Sequence, residues 1–60
     1  MNKYYVYLLT KQIIVLYATS YSRTSSEIIF YDANDSSFAF FNRKCVLGVE
    51  KEIKEKKTND

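Results

Sequence analysis

The strand-like stretches of this chain are apolar on both of their faces. Successive side chains of a β-strand point to opposite sides of the sheet, so a strand with one solvated face alternates apolar and polar residues. Tyr4-Tyr5-Val6-Tyr7-Leu8-Leu9 and Ile13-Ile14-Val15-Leu16-Tyr17-Ala18 do not alternate, and neither do Ile28-Ile29-Phe30-Tyr31 and Phe38-Ala39-Phe40-Phe41. A sheet made of them has one face for the chain's own core and a second face that needs a cover. A sister subunit is the simplest cover.

Length sharpens the point. Sixty residues make one small domain, and a chain of that size buries only about 60% of the surface its unfolded form exposes. Folds this small usually lean on disulfides, a metal or oligomerisation. Cys45 is the sole cysteine and histidine is absent, so an internal disulfide is excluded and zinc would have to rest on carboxylates and one thiol. Self-association is the route left. The composition, 47% hydrophobic and 17% aromatic, belongs to a packed chain and not a disordered one.

The organisation reads as a β domain over residues 1–50 followed by a charged tail over 51–60. Two apolar runs flank Thr10-Lys11-Gln12 and predict a hairpin. That turn has no glycine, so a loop slightly longer than a tight primed turn is expected. Both runs are six residues long, too short for a secretory core or a membrane span. The expected location is therefore cytoplasmic, with no membrane contact. Thr19 to Ser26 is rich in hydroxyls and reads as the longest loop. Glu27 to Tyr31 predicts a third strand, and Asp32-Ala33-Asn34-Asp35-Ser36 a turn, with Asn34 tolerating positive φ. Ser37 to Phe41 predicts a fourth strand and Cys45 to Glu50 a fifth. Beyond Glu50 the residues suit either a short C-terminal helix, with Val49 and Ile53 on one face, or a longer fifth strand.

The expected fold is all-β: a small antiparallel five-stranded meander, as an open sheet or a small barrel. Strands one and five are free to pair with each other or with another chain. The open, dimerising sheet is favoured because both faces are apolar.

Phe30-Tyr31-Asp32, a turn, Phe38-Ala39-Phe40-Phe41-Asn42 and then Val46-Leu47-Gly48-Val49-Glu50 form a pattern over about half the chain. It resembles a loose class of very short bacterial and phage open reading frames that read as strand, FYD, turn, xAxFN, turn, VxxVE behind an N-terminal hairpin. The resemblance implies a small all-β meander and brings no activity and no site residues. In this chain Thr19 to Ser26 is hydroxyl-rich where acidic residues are commoner in that class.

Several chemistries can be weighed residue by residue. Without histidine the usual general acid–base is missing, and Cys45 reads as a strand cysteine packed as a small hydrophobe despite Arg43 and Lys44 beside it. The chain is expected to be no enzyme and to hold no cofactor. Asp32, Asn34 and Ser36 are spaced like the start of a calcium loop, but Ser37 and Arg43 stand where glycine and glutamate are required, so a hairpin turn is the better reading. Phe38, Phe40 and Phe41 beside Arg43 and Lys44 have the ingredients of single-strand nucleic-acid binding. A net charge of +2 is a small footprint for it.

Tyr21, Ser22, Arg23, Thr24 and Ser25 gather hydroxyls, a guanidinium and a ring, which suits a small nucleotide-like anion. Tyr5, Tyr7, Phe38, Phe40 and Phe41 are the aromatic residues expected at an interface. The leading expectation is a non-enzymatic binding protein that acts as a homo-oligomer, with a phage-type accessory role such as inhibition of a host protein.

Overall fold

Valine, isoleucine and aromatic side chains fit a pleated, half-buried backbone, and the segments rich in them become the strands. In the computed structural model, which describes residues 1–53, these are β1 (Asn2–Leu8), β2 (Ile13–Ala18), β3 (Ser20–Arg23), β4 (Glu27–Tyr31), β5 (Ser37–Asn42) and β6 (Val46–Lys51), with one 3-10 turn at Arg43–Cys45. They form two antiparallel three-stranded sheets, ordered β2-β1-β6 and β3-β4-β5.

The chain passes from the first sheet to the second through Thr19, the single residue between β2 and β3. The corner is pinned twice. The Thr19 backbone N–H donates to the Tyr31 carbonyl at 2.9 Å, and the Asn2 side-chain amide donates to the Thr19 carbonyl at 3.0 Å. The last strand returns to the first, pairing Tyr5 with Glu50 and Val6 with Val49.

The core lies between the two sheets. Tyr4, Val6 and Ala18 enter it from the first sheet, Ile28 and Phe30 from the second. Phe30 is its centre: the Tyr4 and Tyr21 rings each lie 5.3 Å from it, centroid to centroid, and Phe41 lies 5.9 Å away. Edge-on and offset contacts of this kind add about 0.5–1.5 kcal/mol per pair beyond area burial. Among the described residues, five buried side chains are a small core for the number of apolar residues available.

Two hairpins close with the same three-residue loop. Lys11 N–H donates to the Leu8 carbonyl and Leu8 N–H to that of Gln12; in the other hairpin Asp35 N–H donates to Asp32 and Asp32 N–H to Ser36. In each loop the third residue is left-handed, Lys11 at φ 73° and Asp35 at φ 63°, as this loop length requires. The Asp32 carboxylate also accepts from the Asn34 and Ser36 N–H groups.

The β3–β4 turn closes differently. Thr24 Oγ1 accepts from the Ser26 and Glu27 N–H groups, which leaves the Thr24 carbonyl free to accept from Arg43 Nη1 at 2.9 Å. Arg43 N–H donates to the Ser26 carbonyl as well, so the turn after β5 holds the turn before β4.

The all-β fold and its antiparallel pairing stand as expected, and four details are corrected. Ser20 to Arg23 is a strand and not loop: Tyr21 points inward and Ser20 outward, a period-two pattern hidden behind hydroxyl-rich composition. The expected five strands thus become six. The sheet is neither flat and open nor a closed barrel, because the Thr19 corner folds it over its own core. Positive φ falls on Asp35 and not Asn34. Cys45 is exposed, because Asn42 caps the 3-10 turn by accepting from Lys44 N–H and the turn carries Cys45 with it. At the C-terminus Glu50 and Lys51 prolong the last strand; residues 54–60 of the expected tail lie outside the described ones.

Candidate functional site

Folding the chain across Thr19 settles which side chains point outward. On the first sheet the pairs Tyr7↔Ile13, Tyr5↔Val15 and Lys3↔Tyr17 share the outer face, and β6 adds Gly48 beside Tyr7 and Glu50 beside Tyr5. Ile13, Val15 and Tyr17 are 56%, 48% and 58% exposed. Gly48 contributes no side chain, and the space above it is open. The result is a sheet face with aliphatic and tyrosine side chains at its centre, Glu50 at its β6 border and Lys3 at the start of β1. A contiguous apolar face of this kind is the mark of a contact surface.

The border is ordered by the tyrosines. Tyr7 donates its hydroxyl proton to Glu50 Oε1 at 2.6 Å, which raises the Tyr7 pKa above the ordinary tyrosine value. Lys3 Nζ sits 5.4 Å from the Tyr5 ring centroid and 3.9 Å from Glu52 Oε1. Its pKa is also raised, first by the neighbouring Tyr5 side chain and then by Tyr17 and Glu52. Tyr7 with Glu50 and Lys3 with Glu52 thus meet partners within the chain, which lowers the cost of covering them.

The outer face of the second sheet is more mixed. The row Ser22–Ile29–Phe40 crosses it, with Ser20–Tyr31–Ser37 beside it. Ser22 Oγ and the Tyr31 hydroxyl share a hydrogen bond at 2.9 Å. Phe38 and Phe40 are exposed there.

The expected interface residues therefore divide. Tyr5 and Tyr7 lie on the outer face of the first sheet and Phe38 and Phe40 on that of the second, while Phe41 packs inward against Phe30. The five loop residues proposed for an anionic ligand do not converge. Tyr21 lies with the core, Ser22 is bonded to Tyr31 on the outer face, Thr24 is held inside its turn, and Arg23 and Ser25 are exposed around it. Arg43, one of the two cations beside the phenylalanines, is engaged with the Thr24 carbonyl.

Elsewhere, an open groove of 680 Å³ runs between Met1, Lys3 and Tyr17 on one side and Lys51, Glu52 and Ile53 on the other. Its Lys3 is already held by Glu52. Among the described residues no group of three or more metal-ligating side chains forms, and no helix is long and apolar enough to cross a membrane.

Sequence reasoning missed Ile13, Val15 and Tyr17 as surface residues. A signal for them existed: a three-residue loop fixes Tyr7 opposite Ile13, so the outward tyrosines of β1 determine the outward residues of β2. Compared with known proteins, the chain matches no family model, no curated protein and no solved structure.

Proposed function

We propose that this chain is a non-enzymatic binding protein that works as a homo-oligomer, with the outer face of its first sheet as the contact surface. One observation carries the reading. Ile13, Val15 and Tyr17 stand about half exposed in one row beside Tyr5 and Tyr7, while the core holds only five buried side chains among the described residues. Covering that row stabilises a chain whose size leaves it marginal, and tyrosines at such a face supply large contact area at low entropic cost. The exposed free thiol of Cys45 fits a reducing compartment, which supports a cytoplasmic location.

The resemblance to short phage reading frames supports an accessory role, and inhibition of a host protein is the form that asks least of a chain without a catalytic constellation. The test is the mass of the native protein in solution, by native mass spectrometry or light scattering, beside a Val15→Lys variant. Wild type is expected as a dimer or larger and the variant as a folded monomer. A wild-type monomer at all concentrations sinks the reading. So does a Val15→Lys variant that keeps the wild-type assembly.

A further inference from the structure

We infer that two copies of this chain join edge to edge, β2 against β2, antiparallel and centred on Val15. The inference rests on the homo-oligomer reading and places the contact between two copies along the edge of the outer face instead of across the face itself. Its first support is the direction of the backbone. Leu8 N–H donates to the Gln12 carbonyl across the first hairpin. From there the alternation of an antiparallel pair turns the N–H and C=O groups of Ile14 and Leu16 toward β1. Those of Ile13, Val15 and Tyr17 then point off the free edge. Thr19, the next residue of that parity, shows the direction: its N–H leaves the β1 side and bonds to Tyr31. Since β4 ends at Tyr31 and turns back at Asp32, it covers Thr19 and leaves the edge from Ile13 to Tyr17 without a neighbour among the described residues.

The second support is a comparison of the four edge strands. Natural edges are blunted by charge, proline, a bulge or shortness. β3 is four residues long and ends on Arg23. β5 meets β4 with a register shift, and β6 meets β1 with another and ends on Glu50 and Lys51. β2 is six residues of Ile-Ile-Val-Leu-Tyr-Ala in unbroken register with β1. It alone has none of these protections.

The third support selects the occupant. Antiparallel self-pairing centred on Val15 sets Val15 opposite itself and Ile13 opposite Tyr17 twice, with roughly six main-chain hydrogen bonds between three bonded pairs. The side chains of that row lie on the outer face, so the two apolar faces become one band with no charge along the seam. The charges nearest the seam are Lys11 just before β2, Lys3 beside Tyr17 and held by Glu52, and the turn carrying Asp32 and Asp35 beyond Thr19. Antiparallel pairing brings the Lys11 end of each copy to the acidic end of the other, whereas parallel pairing brings like to like. A second copy therefore fits the edge in shape, hydrogen bonding and charge.

The test is solution NMR of the full chain, using a mixture of isotope-labelled and unlabelled protein together with amide exchange at two concentrations. The expected result is a dimer in which the Ile13, Val15 and Tyr17 amides exchange at least about tenfold more slowly in concentrated than in dilute protein. An intermolecular contact between the Ile14 and Leu16 Hα atoms should accompany it. A dimer whose three amides exchange equally fast at both concentrations overturns edge pairing and leaves the face-packed assembly standing. A protein that stays monomeric overturns both readings and frees the edge for an extended segment of another protein.

Discussion

The outer face of the first sheet carries Ile13, Val15, Tyr17, Tyr5 and Tyr7 with Lys3 and Glu50 at its margin, whereas that of the second sets Ser20, Ser22, Glu27 and Asn42 among Ile29, Tyr31, Phe38 and Phe40. The two sheets also differ in how their ends are held. In the second sheet Thr24, Asp32, Asn42 and Arg43 spend side-chain hydrogen bonds on turns. The β1–β2 loop closes by backbone bonds alone apart from the contact of Thr10 Oγ1 with Gln12. One sheet is finished by its own polar groups; the other keeps an apolar face and a regular edge. Under the proposed function, the second sheet's closure serves stability within the chain and the first sheet's surface serves association.

The largest expected effect separates inside from outside within one sheet. Phe30 has no exposed surface and three rings around it. Phe30→Ala should cost about 3–5 kcal/mol, comparable to the whole stability of a domain this small at about 0.05–0.15 kcal/mol per residue. The variant is expected to be unfolded by circular dichroism at room temperature. Phe40→Ala, on the outer face and 55% exposed, should cost less than about 1 kcal/mol in a urea melt. Equal costs would mean that the second outer face is also covered in solution, and the contrast between the sheets would fail.

How much of this could be read from residues alone depends on which pattern was visible. Val6, Ile14 and Phe30 lie in runs whose β-branched and aromatic content names them as strand, and Asp32 to Ser36 names itself as a turn. The hairpin of β1 and β2 followed from two runs and a polar break. β3 was obscured because Ser20, Ser22 and Arg23 look like loop, and one aromatic residue, Tyr21, is a weak period-two signal. The site was harder still. In runs apolar at every position a shift of one residue exchanges the faces, so Phe41 and Phe40 were indistinguishable until the register Ile29↔Phe40 set one inward and one outward. Cys45 was misjudged for another reason: its burial depended on the Asn42 cap, a tertiary detail that composition does not carry.

The hairpins allow a finer comparison, because the same loop geometry holds different residues. Left-handed backbone costs most side chains about 1–2 kcal/mol, while aspartate and asparagine visit it more readily. Glycine removes that cost and gives part of it back as unfolded-state entropy. Lys11→Gly should therefore stabilise the fold by about 0.5 kcal/mol, and Asp35→Gly should leave it nearly unchanged. Thermal midpoints of the two variants decide it. A larger gain at Asp35 would mean that the acidic turn is the strained one and that the second sheet is not the better finished of the two.

The smallest effect tests the border of the first sheet's outer face. Tyr7 donates to the Glu50 carboxylate, and its folded-state pKa lies above the ordinary 10.0. A raised pKa means that the folded state holds the proton more tightly than the unfolded state. The associated stability is fully present below the unfolded-state pKa and is lost as pH rises through the folded-state value. Lys3 is raised from 10.5 and acts in the same direction and the same window. Both groups are solvent-accessible, so the change is small and salt-sensitive. The wild-type thermal midpoint should fall across the alkaline window above pH 10, and Tyr7→Phe should fall less steeply because it has no phenolic proton to lose. Parallel curves for the two proteins would show that the Tyr7–Glu50 bond does not persist in solution, and that this border of the face is less ordered than its geometry implies.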